Sequence, residues 1–333
     1  QTMGAGFDEN GDTNGNPTLL NLTMYAMLAV FIMIQIAICW RIFQYVNGIE
    51  YTGATASFLG MTYYTGITGA QLVGAVVSSG IFAGIGIIYG HELAHTKGFS
   101  FLIARWMMAL SGSAHFCYAH VYNHHLELGC ENDPATAPRG RSIYAHLPKS
   151  HFGQSKFLYT MEKQRLKRLG VPFLSWQNRW IRGYAMSLPT IALFWYAGAW
   201  TGIACMALIW LISNFELEAL NYLEHYGLIR ETGSPIDYRH SWDNSTLFTS
   251  WFFIEIGRQA DHHDRGETHF WELDEVGAPN CGNGYFTLFA MALIPPLFHK
   301  YMNEQLAKWD EEEASEGELK IASEMNKIAG YTG

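Results

Sequence analysis

Three stretches of this chain are too long and too apolar for the core of a water-soluble protein, and they limit its fold more than any other feature. Leu19 to Ile42 is nearly continuous apolar sequence in which Arg41 is the only charge; at 1.5 Å per residue it reaches about 36 Å, enough to cross a bilayer. Ile67 to Tyr89 carries no charge and is rich in small residues, which suit close packing between membrane helices. Tyr184 to Leu223 is interrupted only by Glu216 and Glu218. It is long enough for two crossings with a turn near Gly198 to Gly202, and Pro189 is expected to kink the first.

Two shorter apolar stretches, Phe101 to Cys117 and Phe286 to Phe298 with Pro295-Pro296 inside it, are expected as half-embedded or protein-covered helices. Charged residues make up only 15% of the 333, against about 25% in soluble proteins. Aromatic residues also reach 15%, with 11 Trp and 18 Tyr, as a chain with many side chains at the lipid–water boundary requires. The expected fold class is all-α: an integral membrane helical bundle over residues 18 to 308. A polar segment, 1 to 17, precedes it, and an acidic tail, 309 to 333, reads as a solvated helix or loose end. Residues 1 to 17 lack the basic start of a cleavable signal peptide, so none is expected there. The net charge of -9 argues against a nucleic-acid partner.

Lys and Arg gather on one side of this scheme. Residues 97 to 182 hold twelve of the 21 and residues 224 to 333 hold eight, while the expected outer turns, 44 to 66 and 198 to 202, hold none. Cytoplasmic segments collect these residues, so two in–out–in hairpins are expected, with most of the remaining chain facing the cytoplasm.

Eight of the 14 histidines fall into four words, all on that side: His91 and His95 in HELAH; His120, His124 and His125 in HVYNHH; His225 in NYLEHYGL; and His262 and His263 in QADHH. The first two words place histidines at i and i+4, on one helical face, where a single metal ion can take both imidazoles. His115, His240 and His269, taken singly, read equally well as satisfied interior residues. Neutral imidazoles crowded at a membrane edge are costly unless they bind something, so metal ligation is expected for the eight. Imidazole alone does not choose between iron and zinc. HELAH also matches the zinc-peptidase word, with Glu92 as general base, but such a site needs only one further ligand, not six more histidines. The five cysteines include no C-x-x-C pair, which leaves no cysteine-ligated zinc or rubredoxin-type site.

The words HELAH, HFCYAHVYNHH, ENDPATAPRGRSIY, NYLEHYGL, RHSW, DHH and ALIPP, in this order over about residues 18 to 310, resemble the integral-membrane di-iron hydroxylases of the alkane monooxygenase and xylene monooxygenase family. The resemblance implies a transmembrane bundle whose cytoplasmic helix ends carry two Fe ions, with O2 as co-substrate and a hydrophobic channel open to lipid. It also implies two further membrane helices ahead of residue 19. The implied ligands are His91, His95, His120, His124, His125, His225, His262 and His263. The family's last word is generally H-x-x-H-H, whereas here Gln259 takes the first position; Gln259 is expected as a weak amide ligand, a water holder or a gap in the ligand set. Front-end fatty-acid desaturases also use Q-x-x-H-H, so fatty-acyl desaturation is the alternative reading.

Glu92, Asp133, Glu224, Asp261, Asp264 and His240 are the candidates to accept or share the ligands' second N–H. Each acid also reads as an ordinary solvated or capping carboxylate. Leu72, Ile81, Ile85 and Phe194 are candidate channel residues, or simple packing. The implied reaction is hydroxylation of a terminal or methyl C–H bond of an alkane or alkylbenzene. No cluster or dinucleotide fingerprint is present to supply electrons, so a rubredoxin or ferredoxin with its reductase is the expected partner. The basic segment KQRLKRLG, Lys163 to Gly170, is its docking surface or an anchor for anionic lipid. A metal transporter or store is the reading from another class; it would need ionisable residues along the spans, which hold almost none.

Overall fold

The computed structural model describes residues 16 to 331 apart from Leu59. Most of the expected polar segment 1 to 17 lies outside the described residues. Helix α1 (Pro17–Val46) begins where the Asn16 side chain accepts the amides of Thr18 and Leu19 at 3.1 and 3.2 Å, with Pro17 in its first turn. Two short antiparallel strands follow, β1 (Thr55–Phe58) and β2 (Met61–Tyr64), pairing Thr55 with Tyr64. Helix α2 (Gly69–Ala94) starts with a Thr68–Gln71 capping box and leads into α3 (Gly98–Leu110). A broken helical segment consists of α4 (Phe116–Ala119), a π-helical turn (His120–His124) and α5 (His125–Glu127). Then come α6 (Ile143–Leu169), α7 (Arg179–Ala185) and α8 (Leu188–His225). The remainder holds α9 (Leu247–Phe252), α10 (Gln259–Asp264), α11 (Tyr285–Ala292), α12 (Pro295–Glu312) and α13 (Glu316–Ala329).

This is an integral membrane helical bundle. Pro17–Val46, Gly69–Ala94 and Arg179–His225 are each long and apolar enough to cross a membrane. Large apolar side chains on their outer faces, including Leu22, Met33, Val73, Phe82 and Leu211, are exposed, a distribution that suits a surface turned towards lipid. Small residues let the helices approach closely: Gly86 of α2 leaves room for the Phe31 ring of α1, and a Cβ there would sit 2.8 Å from it. Polar side chains join the helices as well. The Leu110 carbonyl, at the end of α3, accepts from Gln35 Nε2 at 3.0 Å and Trp210 Nε1 at 2.8 Å.

The expected turn near Gly198 to Gly202 is present as a sharp break in α8, where Gly198 and Ala199 leave helical geometry (φ −166° and 45°). The two arms touch there: a Cβ on Gly202 would lie 1.9 Å from the Phe194 carbonyl oxygen. Pro189 does not kink the helix; it occupies the first turn of α8, where its missing N–H has no intrahelical partner to lose. The paired strands between α1 and α2 were not expected, because YTGATASFLGMTYY lacks a strong two-residue turn signal.

A second correction concerns the acidic tail. It forms the end of α12 and all of α13, and both pack back onto the body. Trp309 and Ala322 are buried in the same cluster as Tyr222, Tyr226 and Phe298. Arg139 reaches both carboxylate oxygens of Asp310 at 2.7 and 2.6 Å, and buried Glu318 accepts from His240 Nε2 at 2.9 Å. Charge counting missed this because WDEEEASEGELK puts its apolar residues on a face that only the partner surface explains. Gly202→Val is expected to destabilise the protein by about 1–3 kcal/mol or more through forced displacement of the Phe194 arm. The check is the thermal midpoint of the purified variant in detergent.

Candidate metal centre

Four helix ends deliver the histidine words to one place. His91 lies in the last turn of α2 and His95 caps it; His120 and His124 bound the π turn, with His125 following; His225 ends α8; and α10 carries His262 and His263. All are buried except His95 and His125, which are half-buried. They sort into two groups. In the first, one ring nitrogen from each of His91, His95, His120 and His262 lies within 4.8 Å of the others; in the second, His124, His225 and His263 meet the same limit. His125 stands between them, with its Nε2 3.1 Å from His120 Nε2 and its ring centroid 4.3 Å from that of His263.

The i, i+4 expectation holds for His91 and His95 but fails for His120 and His124. In the π turn the amide of His125 bonds the carbonyl of His120, so the chain gains a residue per turn and His120 and His124 diverge into different groups. His262 and His263, adjacent in sequence, are divided in the same way. Each group therefore draws on three or more separate segments.

Hydrogen bonding among the imidazoles does not account for this arrangement. His120 Nε2 lies 2.8 Å from His91 Nε2, 3.0 Å from His95 Nε2 and 3.1 Å from His125 Nε2. One nitrogen with a single proton or a single lone pair satisfies only one of those contacts. Both ring nitrogens of His225 and of His263, and Nε2 of His262, are buried without a hydrogen-bond partner. Such a donor set fits metal cations, which accept several imidazole lone pairs at once. Burial first, and then the neighbouring imidazoles, hold His95, His120, His125 and His263 well below the ordinary histidine value. His262 is lowered to about 4 by burial and by His124. These histidines are neutral at pH 7, the state that binds metal.

Of the six candidate partners for the second N–H, Asp133 alone meets a clustered imidazole among the described residues: its Oδ2 accepts from His124 Nδ1 at 2.8 Å. Burial alone would raise the Asp133 carboxyl. Its close contact with His124 and the bonds from His124, Thr136 and the Ala135 amide outweigh burial and hold it down at about 2. The others are engaged elsewhere or left open. Glu92 accepts the Phe270 amide at 3.1 Å and sits 3.5 Å from His269 Nδ1, both through Oε1. Asp261 is held by Arg265 and the Asp274 amide, Asp264 is exposed, and His240 is taken by Glu318. Glu224 keeps one buried oxygen without a partner. Gln259 is buried, and its amide nitrogen donates to the Ile256 carbonyl at 2.7 Å.

An apolar cavity of about 120 Å³ lies between α2, α8, α9 and α11, and Ile81 and Ile85 are among its lining residues. Leu72 and Phe194 are not; they pack in the core between α1, α2 and α8. Ile88 lines both this cavity and a small pocket bounded by His91 and His262, so it separates apolar space from the imidazoles. The sequence reading missed Ile88, although its position three residues before His91 puts it on the same helical face.

Residues 68–290 match the fatty acid desaturase family. The alkane 1-monooxygenase of Acinetobacter baylyi is 29% identical over 297 residues, 83% of this chain and 72% of that protein. Alkane 1-monooxygenase 1 of Pseudomonas aeruginosa is 30% identical over 246 residues, 70% of this chain and 63% of its own length. The xylene/toluene monooxygenase hydroxylase component XylM of Pseudomonas putida is 30% identical over 266 residues, 78% of this chain and 72% of XylM. The chain thus spans 63 to 72% of the length of these relatives.

Two outcomes follow from the geometry. Asp133→Asn is expected to weaken metal binding roughly 10- to 100-fold, since the second N–H of a ligating imidazole loses its carboxylate; competition with a chelator of known affinity measures it. Acidification acts in a defined direction. With His262 at about 4 when folded and near 6.5 when unfolded, the unfolded chain binds more protons between those values. The metal-free protein therefore keeps full stability above pH 6.5 and loses it as pH falls towards 4, which thermal midpoints across that range will record.

Proposed function

The chain belongs to the fatty acid desaturase family, among relatives that are alkane and xylene monooxygenases, and on that premise we propose that it is an O2-dependent hydrocarbon monooxygenase. The reaction inserts one oxygen atom into a terminal or methyl C–H bond of an alkane or alkylbenzene. The observation that carries this reading is the juxtaposition of two buried histidine groups with an apolar cavity, divided from them by Ile88.

In this reading His91, His95, His120 and His262 hold one iron, His124, His225 and His263 hold a second, and His125 stands between them. Bound iron supplies the oxidising power towards O2 and an unactivated C–H bond that no side chain possesses. The protein's own contribution is orientation and exclusion of water. Asp133 fixes the His124 tautomer through Nδ1, leaving Nε2 for the ion. Ile88, Leu223, Phe253 and their neighbours keep the approach to the site dry. Gln259, whose amide nitrogen donates to the Ile256 carbonyl, shapes the turn that presents α10.

Two electrons per turnover come from a separate donor of the rubredoxin or ferredoxin class. Lys163, Arg165, Lys167 and Arg168 near the end of α6 are its docking surface, although Arg165 is partly committed to Glu162 at 2.8 Å. The Lys and Arg distribution supports a cytoplasmic site in a bacterial inner membrane. Fatty-acyl desaturation is the second reading, favoured by the family match and by Gln259-x-x-His262-His263; an unsaturated product free of inserted oxygen would establish it.

Alanine at His91, His120, His225 or His263 is expected to abolish turnover and to lower bound iron from two per chain, read by metal analysis and Mössbauer spectroscopy. Two such variants that retain both irons and full activity would end this ligand assignment. Ile88→Trp is expected to keep both irons yet lose at least tenfold in hydrocarbon turnover, because the ring fills the passage between cavity and site.

A further inference from the structure

The apolar cavity carries a carboxyl group that the proposed chemistry does not use. Its polar lining side chains are Glu216 and Tyr285, and Glu216 projects from α8 in mid-span. Two residues further on, Glu218 shows what a structural carboxylate looks like here. It is fully buried and meets Gln154 Nε2 at 3.0 Å and Asn221 Nδ2 at 3.1 Å. Among the described residues no side chain hydrogen-bonds Glu216. In lipid an ionisable group without partners is costly, and its retention marks a site that meets something from outside the chain.

The seat for this group is built into the facing helix. A Cβ on Gly84 would lie 1.7 Å from Glu216 Oε2, so the glycine leaves the carboxyl room to rest against α2, and a methyl there would push it aside. Glu216 and Phe289 also line a more open apolar groove of about 410 Å³ with Tyr144, Leu147 and Leu211. The pair therefore stands at the neck between groove and cavity, while Ile88 stands at the other end beside His91 and His262. Along α2, Gly84 precedes His91 by seven residues, roughly 10 Å of helix.

We propose that Glu216 is a specificity residue for amphiphilic hydrocarbons: its carboxyl hydrogen-bonds the hydroxyl of a medium-chain primary alcohol at the neck, and the alcohol's far methyl end extends past Ile88 to the metal centre. This rests on the monooxygenase reading. The product is an α,ω-diol. One atom of O2 enters the terminal C–H bond, and the other leaves as water with two electrons from the iron–sulfur-type donor and two protons from solvent. A hydroxyl both donates and accepts, so it pairs with the carboxyl in either protonation state. An unsubstituted alkane leaves the carboxyl unpaired, and a site built for a hydroxyl discriminates strongly against a ligand that lacks one.

Infrared difference spectroscopy tests the contact directly on the full-length, iron-loaded protein in phosphatidylcholine nanodiscs, with 1-octanol and n-octane as probes. Octanol is expected to shift a carboxyl band that octane leaves in place. The shift disappears in Glu216→Leu and weakens in Gly84→Ala, whose methyl displaces the carboxyl. In turnover, Glu216→Leu is expected to lower the kcat/KM ratio of octanol to octane at least tenfold, with loss of the terminal diol. Absence of the band shift in the parent protein, or its persistence in Glu216→Leu, overturns the proposal. A Glu216-dependent shift in a protein that oxidises neither probe supports the binding site and overturns the monooxygenase reading instead.

Discussion

Everything in this protein is arranged around the difficulty of burying eight imidazoles together. Converging nitrogens cannot share their few protons in a pattern that satisfies each of them, and water is excluded from most of the cluster. His120 Nε2 alone faces three other nitrogens within 3.1 Å. A divalent cation resolves the conflict, because every lone pair then has the same acceptor. The membrane helices, the π turn and the short helix bearing His262 and His263 are the scaffolding that brings these groups to one depth.

Much of the architecture could be read from the sequence because lipid imposes a simple rule: long uncharged runs become spanning helices. The three candidate spans and the break near Gly198 obey it. Less legible were features set by tertiary contact. The acidic end packs down because Arg139, His240 and Tyr226 wait for Asp310, Glu318 and Tyr331, and no local pattern announces those partners. Pro189 was misread because a proline at a helix start and one inside a helix look alike until the boundary is known.

The site shows the same division. The histidines converge as a set, and spacing correctly paired His91 with His95. Spacing alone put His120 and His124 on one face, whereas the π turn, in which the His125 amide reaches the His120 carbonyl, sends them to different groups. Asp133 was recoverable from its position in ENDPAT; Ile88 was not singled out, since an apolar residue on a span acquires meaning only beside a cavity, and Glu216 stood out only as a charge interrupting its span.

The division of neighbouring histidines has a mechanical consequence. His262 and His263 are joined by one peptide bond yet serve opposite groups, and the five residues from His120 to His124 do the same through a single helical turn. A cation that seats among His91, His95, His120 and His262 thereby fixes the backbone that presents His124 and His263. In the two-iron reading proposed above, filling one half would lower the ordering cost of filling the other. The two halves would therefore fill as one cooperative unit, with a singly loaded chain the scarcer species.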